Sequence, residues 1–293
     1  MRLFYCDHFE IPLPAGHKFP VDKYRLLRER LKKDGFWQLE PAIPASVETI
    51  ALAHDPEYVA QFVSGTLPPA AMRRIGFPWS EGLVKRTLAS AGGTLAATRD
   101  AIDTGFGGTL AGGTHHAFRS EGSGFCVFND VAIAIHSVRR RAAVIDLDVH
   151  QGDGTAHFFE HDPNVLTISL HGANNFPFRK QRSKIDVELP DKTGDEEYLR
   201  ELDRVLPRVV EFAPEIVFYL SGVDALASDV LGRLSLTPEG LKARDARVIG
   251  TCFREKLPLV ITLGGGYSKP IELTAEAHAN TFRVAAQLRL QHS

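Results

Sequence analysis

Six apolar runs of strand length recur along the chain, and segments with helical spacing lie between them. Most of these runs do not alternate between apolar and polar residues, which indicates strands that are covered on both faces. The runs read RLFYC, GTLAGG, AAVIDLD, NVLTISLHG, EIVFYLSG and LPLVITLGGG. Strands of this kind are typical of a mainly parallel sheet with helices on either side, so the sequence predicts an α/β fold.

The segments between the runs predict the helices. Residues 22–33 place Tyr24, Leu27 and Leu31 on one stripe, which is the spacing of an amphipathic helix. Further helices are predicted to start near residue 56 and to cover 80–104, 195–212, 237–256 and 270–290. Residues 172–185 are polar and turn-rich, which favours a surface loop. With no repeat or linker in 293 residues, we expect one domain over 1–293.

Charge and cysteine content limit the classes of function. The chain has 34 basic and 36 acidic residues, so its formal charge of −2 gives no overall footprint for nucleic acid or an anionic membrane. Its three scattered cysteines favour a reducing compartment, and we expect a cytoplasmic protein. We find no signal-peptide pattern and no run of membrane-spanning length.

Four polar clusters follow four of the apolar runs directly. They read GGTHHAF, DLDVHQGDG, SGVD and GGGY. In open α/β sheets, ligands bind at the carboxyl ends of the strands, where these clusters are predicted to meet. Packing alone does not account for them, so they predict a functional site.

The cluster after AAVI indicates a metal. Asp146, Asp148 and His150 are spaced by two, so they share one face of an extended chain. A single aspartate after a strand is more often a helix cap or an arginine partner. The combination of Asp148 and His150 with Asp224 of SGVD instead suits zinc, because a catalytic zinc site usually has three such ligands and one open position.

The doublet His115-His116 suggests proton transfer near that metal. One histidine could accept a proton from the attacking water, and the other could stay charged or donate to the leaving amine. Asp146 and Asp153 could each accept a ring N–H from one histidine, which would fix its tautomer and raise its pKa.

Glycines and aromatic residues predict how a substrate is held. Tyr267, directly after three glycines, could donate its phenol to a developing oxyanion, although a flexible turn with a surface tyrosine is as good a reading of GGGY alone. Phe125 beside Gly124, together with Phe176 and Phe178, could wall a narrow apolar passage for a lysine stem. Phosphate loops and a serine nucleophile elbow are not found.

The ordered motifs GGTHHAF, GFCVFND, VIDLDVHQGDGT, SGVDAL and LGGGY resemble those of the zinc-dependent histone deacetylases. The resemblance implies a single three-layer α/β/α domain of the arginase/deacetylase type with a mainly parallel sheet of about eight strands. It also implies hydrolysis of N6-acyl-lysine in proteins or peptides. RIGFPWSEG and GFCVFNDVA look closest to class IV enzymes and their bacterial relatives.

Carried over position by position, the resemblance implies a role for each motif residue. The implied zinc ligands are Asp148, His150 and Asp224. The implied catalytic residues are His115, His116, Asp146, Asp153 and Tyr267. The implied substrate contacts are Gly124, Phe125, Phe178 and Gly266, and less strongly Phe176. Potassium is implied at an inner site of Asp146, Asp148, His150, Ser169 and Leu170 and at an outer site of Phe159, Asp162 and Val165.

Departures from the family pattern leave alternatives open. Phe77, Pro78 and Trp79 stand where many relatives have an acidic rim residue, so a small acylated amine such as an acetylpolyamine is one alternative substrate. A two-manganese ureohydrolase is a second alternative, disfavoured because Gly152 and Gly222 occupy the positions of the extra carboxylates. A non-catalytic acyl-lysine binding scaffold is a third.

Overall fold

The computed structural model describes residues 1–292, and its centre is an eight-stranded sheet. The strands are β1 (Arg2–Tyr5), β2 (Gln38–Pro41), β3 (Phe106–Thr109), β4 (Ala142–Asp146), β5 (Val165–Gly172), β6 (Ile185–Leu189), β7 (Ile216–Leu220) and β8 (Leu259–Thr262). They lie in the order β2-β1-β3-β8-β7-β4-β5-β6, and every neighbouring pair is parallel. The predicted α/β fold with a parallel sheet is confirmed.

Helices connect the strands and cover both faces of the sheet. They are α1 (Asp22–Asp34), α2 (Val47–Ile50), α3 (Pro56–Ser64), α4 (Pro69–Ile75), α5 (Glu81–Thr104), α6 (Asp130–Val138), α7 (Asp153–Phe159), α8 (Asp195–Phe212), α9 (Pro238–Arg254) and α10 (Ile271–His292). Several begin at a side chain that accepts a backbone N–H, as Asp55 does for α3 and Ser80 for α5. None of these helices in residues 1–292 is long and apolar enough to cross a membrane.

Each face of the sheet has its own hydrophobic core. Along β4, Ala143 and Ile145 face one core, whereas Ala142 and Val144 face the other. The first core includes side chains of α1, α8, α9 and α10, and the second includes side chains of α3, α5 and α6. Because both faces are covered, the loops at the strand ends are the part of the sheet that remains open to a ligand.

The structure differs from the sequence-based elements at the edges of the sheet. The two edge strands, β2 and β6, were not predicted, since they contain polar residues and are not continuous apolar runs. The strand assigned to GTLAGG begins two residues earlier and ends at Thr109, which leaves the following glycines in the loop before the histidines. The short helices α2, α4, α6 and α7 were also not predicted.

Candidate metal centre and active site

The predicted site residues lie at the carboxyl ends of the four central strands. Asp146 is the last residue of β4, and Asp148 and His150 follow it. The loops after β7, β8 and β3 supply Asp224, Tyr267 and the histidine pair, respectively. The parallel register aligns these four ends, so residues far apart in sequence converge at one edge.

Asp148, His150 and Asp224 form a compact group. His150 Nδ1 lies 3.0 Å from Asp148 Oδ1 and 3.1 Å from Asp224 Oδ2. One potential ligand atom from each of the three residues lies within 4.8 Å of the other two, and both carboxylates are buried. Within residues 1–292, this is the one cluster of three or more such side chains with the spacing of a metal site.

Backbone amides orient the two carboxylates. Gly265 N donates to Asp148 Oδ2 at 2.5 Å, and Val149 N donates to Asp224 Oδ1 at 2.9 Å. The other oxygen of each carboxylate is therefore the one that faces His150. A Cβ on Gly265 would lie 1.7 Å from Asp224 Oδ2, so only glycine permits this approach of the loop.

The charges of this group favour a cation between its members. Burial lowers the pKa of His150, but hydrogen bonds to Asp148 and Asp224 outweigh burial and raise it to about 10. Burial and the charge of Asp148 raise the pKa of Asp224 to about 7. Two carboxylates and one imidazole nitrogen are a donor set that catalytic zinc sites use, so the residues present fit this ion.

Each histidine of the doublet has its own carboxylate partner. His115 Nδ1 lies 2.7 Å from Asp146 Oδ2, and His116 Nδ1 lies 2.6 Å from Asp153 Oδ1. The two imidazole centroids are 4.1 Å apart, and both side chains are buried. These contacts fix both ring orientations. His115 Nε2 also lies 3.9 Å from Asp148 Oδ1 of the metal group.

The two histidines differ in charge although their partners are alike. Burial lowers the pKa of His115, but the charges of Asp146 and Asp148 outweigh burial and raise it to about 9. Burial and the charge of His115 lower the pKa of His116 to about 4, against the opposing effect of Asp153. At neutral pH, His116 is therefore able to accept a proton and His115 carries a positive charge.

Tyr267 is positioned by the loop after β8. Its backbone N donates to Asp229 Oδ2 at 2.6 Å, and its ring lies 6.4 Å from that of Phe125. Gly266 has a φ of 156°, a conformation that side chains rarely adopt. Burial and the charges of Asp224 and Asp148 raise the pKa of the Tyr267 phenol well above its ordinary value, so the phenol is a hydrogen-bond donor at neutral pH.

Two cavities meet at the metal group. An open cavity of about 470 Å³, called the mouth below, is lined by Phe176, Phe178 and rim residues. An inner cavity of about 100 Å³, called the inner chamber below, is lined by Lys23, Arg86 and several aromatic residues. Both cavities are also lined by His116, Gly124, Phe125, His150 and Tyr267. A long substrate can thus enter at the mouth and extend past the metal group into the inner chamber.

Three phenylalanines line the cavities. Phe178 lines the mouth with a side chain that is 88% exposed. Phe176 also lines the mouth, and its ring centroid lies 4.9 Å from that of His116. Phe125, with a φ of 65°, stands beside Gly124 and lines both cavities.

Two cationic residues of the inner chamber were missed. Lys23 continues the buried stripe of Leu27 and Leu31 on α1, which was a usable signal because a lysine rarely occupies a buried face. Arg86 lies on α5, where nothing in its sequence context distinguishes it from a solvent-facing arginine.

The predicted potassium ligands lie in two places. Asp146 is in register with Ser169 on the neighbouring strand β5, close to the metal group. The outer residues form consecutive turns after α7, since Asp162 N donates to the carbonyl of Phe159 and Val165 N to that of Asp162.

Known proteins similar to the chain come from bacteria, plants and animals. The chain is 43% identical to an uncharacterized protein of Picosynechococcus, over 96% of this chain and 97% of that protein. It is 31% identical to histone deacetylase 2 of Arabidopsis thaliana, over 92% of this chain and 75% of that protein. It is also 31% identical to a histone deacetylase-like amidohydrolase of Pseudomonas aeruginosa, over 88% of this chain and 74% of that protein.

A solved structure and a family model match nearly the whole chain. The crystal structure of the HDA15 HD domain superposes with a TM-score of 0.80 at 23% identity, covering 97% of this chain and 88% of that one, which shows the same fold. Residues 17–284 match the model of the histone deacetylase domain. The chain therefore belongs to the histone deacetylase family.

Proposed function

We propose that this protein is a zinc-dependent amidohydrolase that removes acyl groups from the ε-amine of lysine in proteins or peptides. The observation that carries the proposal is the position of the Asp148, His150 and Asp224 group at the junction of the mouth and the inner chamber. A lysine stem lies between Phe125 and Phe176, which places its amide carbonyl beside the metal group.

The side chains around this carbonyl supply the chemistry. When bound, a zinc ion supplies a Lewis acid that polarises the carbonyl and makes water a stronger acid. Neutral His116 accepts the proton of the attacking water and later passes it to the leaving amine, while charged His115 stabilises the negative charge that develops nearby. Tyr267 donates its phenol hydrogen to the carbonyl oxygen.

The observed geometry disfavours a second metal. A Cβ on Gly152 would lie 2.3 Å from Asp146 Oδ2, and a Cβ on Gly222 would lie 2.4 Å from Asp148 Oδ2. These two positions therefore have no space for the extra carboxylates of a two-manganese ureohydrolase, which supports a single-metal hydrolase.

The charges at the mouth do not separate a peptide from a polyamine. Arg74 and Arg233 line the mouth, but each pairs with a carboxylate, Glu121 and Asp191 respectively. The acetylpolyamine alternative is therefore decided by experiment.

The function is tested with purified zinc-loaded protein and two substrates, an acetyl-lysine peptide and an acetylpolyamine, each with and without a chelator. We expect hydrolysis of the peptide that the chelator abolishes and added zinc restores. Faster hydrolysis of the acetylpolyamine would favour the small-amine alternative. A lack of turnover on both substrates, together with peptide binding, would favour the non-catalytic scaffold.

The metal site is tested separately from activity by measuring bound zinc. We expect His150→Ala to lose bound zinc, because it removes one of three ligands. His161, whose side chain is 91% exposed, provides the matched control. Equal zinc content in His150→Ala and His161→Ala would contradict the assigned metal site.

We further propose that residues 1–293 form one catalytic unit, which the match over residues 17–284 supports. Potassium ions at the inner and outer sites would stabilise the strand ends through backbone oxygens. The likeness of RIGFPWSEG and GFCVFNDVA supports a place in the class IV branch. All three cysteines are unpaired and buried, which supports a cytoplasmic location.

A further inference from the structure

Two cationic side chains lie in the wall of the inner chamber. Lys23 on α1 is 1% exposed, and Arg86 on α5 is 6% exposed. Both line the chamber together with the metal ligands and Tyr267. The wall of the chamber therefore carries two cationic side chains beside the metal group.

Neither cation forms a direct ion pair, and the negative charges that act on Lys23 come from Asp224 and Asp148 of the metal group and from Asp229. Lys23 Nζ donates to the carbonyl of Gly264 at 3.0 Å, and an Arg86 guanidinium nitrogen donates to the carbonyl of Phe9 at 3.3 Å. The Arg86 guanidinium also lies 4.6 Å from the centroid of the Tyr24 ring. Among residues 1–292, no carboxylate lies within 4.0 Å of either cationic group. The one acidic side chain that lines the chamber is Asp148, which belongs to the metal group.

Buried charges without a partner are costly, and proteins usually pair them. A guanidinium group has five N–H donors, and Arg86 directs one to the Phe9 carbonyl and interacts with the Cys6 thiol, which leaves further donors available. Donors that face a cavity beside a catalytic centre are placed to bind an anionic part of a ligand. The chemistry of the wall thus points to a carboxylate in the chamber.

The size of the chamber limits the group that it can hold. Its volume of about 100 Å³ has space for several water-sized groups. A tail of four or five non-hydrogen atoms fits this space, whereas a long fatty acyl chain does not. Leu83 and Phe77 supply apolar surface for the methylene groups of a short tail.

We propose that the preferred acyl group is a short one that ends in a carboxylate, as in succinyl-lysine, and that Lys23 and Arg86 bind this carboxylate. The inference rests on the proposed function, since the acyl tail reaches the chamber only if the scissile carbonyl lies at the metal group. Hydrolysis adds one water across the amide C–N bond. It yields the ε-ammonium of lysine and a succinate dianion, so atoms and charge balance.

The test compares two peptides of one sequence that carry succinyl-lysine or butyryl-lysine. The two acyl chains have four carbons each and differ only in the terminal carboxylate or methyl group. We expect the wild-type kcat/KM to be higher for the succinyl peptide by about tenfold or more. One hydrogen-bonded charge pair contributes a free energy that corresponds to such a ratio. Arg86→Met is expected to remove most of this ratio, and Lys23→Met is expected to lower it.

Two controls separate binding from a general loss of structure. Lys85→Met changes an exposed cation next to Arg86 on the same helix and is expected to keep the wild-type ratio. Arg86→Lys retains a positive charge and is expected to keep part of the wild-type preference for the succinyl peptide. Direct titration of the succinyl peptide into Tyr267→Phe protein, which hydrolyses it slowly, measures affinity without turnover, and a further Arg86→Met change is expected to weaken that binding about tenfold or more.

Equal or faster hydrolysis of the butyryl peptide by the wild-type protein would overturn the inference, whether or not Arg86→Met folds. An unchanged ratio in folded Arg86→Met protein would overturn it too. Weaker inhibition by free acetate in Arg86→Met with no change in the ratio would also overturn it, because the cations would then bind only the released acid. If no acyl-lysine peptide is hydrolysed at all, the proposed function itself fails.

Discussion

At the scale of single residues, Tyr267 is the group whose chemistry can be separated from metal binding. The three assigned metal ligands do not include it, and its phenol keeps its proton at neutral pH. We expect Tyr267→Phe to reduce kcat about 10²–10³-fold, as for loss of one oxyanion donor, with bound zinc unchanged. Steady-state kinetics and metal analysis check the two halves of this prediction. Tyr5 lines neither cavity, so Tyr5→Phe serves as the control. Equal activity of the two variants would reject the role of Tyr267.

Some residues of the site could be found from sequence because their chemistry is local. Asp148 and His150 follow a buried strand at a spacing of two, and this spacing alone places them on one face. Lys23 and Arg86 could not be assigned in this way, since the direction in which a helix turns a charged residue depends on the packing of α1 and α5. Likewise, the packing of Phe176 against His116, which Phe178 does not share, depends on the path of the loop after β5. No local sequence pattern indicates that path.

At the scale of elements, the helices differ in how closely they approach the rest of the chain. On α5, a Cβ added to Gly92 would lie 1.8 Å from the carbonyl oxygen of Ile43. On α9, a Cβ added to Gly250 would meet only a Leu288 methyl at 3.9 Å. The first glycine is thus required by close packing, whereas the second is not.

We therefore expect opposite effects of the same substitution on these two helices. Gly92→Ala forces backbone atoms apart and should lower the free energy of unfolding by about 1–3 kcal/mol or more. Gly250→Ala removes unfolded-state freedom at no steric cost and should raise it by about 0.5–1 kcal/mol. Urea denaturation of both variants measures the two changes, and a stabilising Gly92→Ala would contradict the observed packing of α5.

The burial of each strand explains whether it could be predicted from the sequence. β4, β5, β7 and β8 are covered on both faces, so their continuous apolar runs identify them. β6 has alternating exposed and buried residues at the edge of the sheet, and β2 has no fully buried residue. Their strand conformation comes from pairing with a neighbour, and a rule based on apolar runs cannot detect such pairing. The count of eight strands was available only through the family resemblance.

At the scale of the whole molecule, the covered faces of the sheet stabilise the fold, and the open strand ends carry the candidate site. Two cores hold the four central strands in register, and the register brings the loops that carry the metal group and the histidine pair together. His54 belongs to this framework, because it joins the turn after α2 to residues 119 and 129. Its Nδ1 lies 3.2 Å from the carbonyl oxygen of Arg119, and its Nε2 accepts a hydrogen bond from Asn129 N at 2.8 Å.

These contacts make the stability of the molecule depend on pH. Burial lowers the pKa of His54 from 6.5 to about 4, and protonation of Nε2 would break its bond to Asn129. Between these two pH values the unfolded chain binds a proton that the folded chain does not, so stability falls as pH falls. From pH 7 to pH 5, His54 should contribute a loss of about 2 kcal/mol in the free energy of unfolding. Urea denaturation at both pH values measures it. The loss should be smaller by that amount in His54→Gln, which cannot take up the proton, and the same loss in both proteins would mean that His54 is not held neutral by the fold.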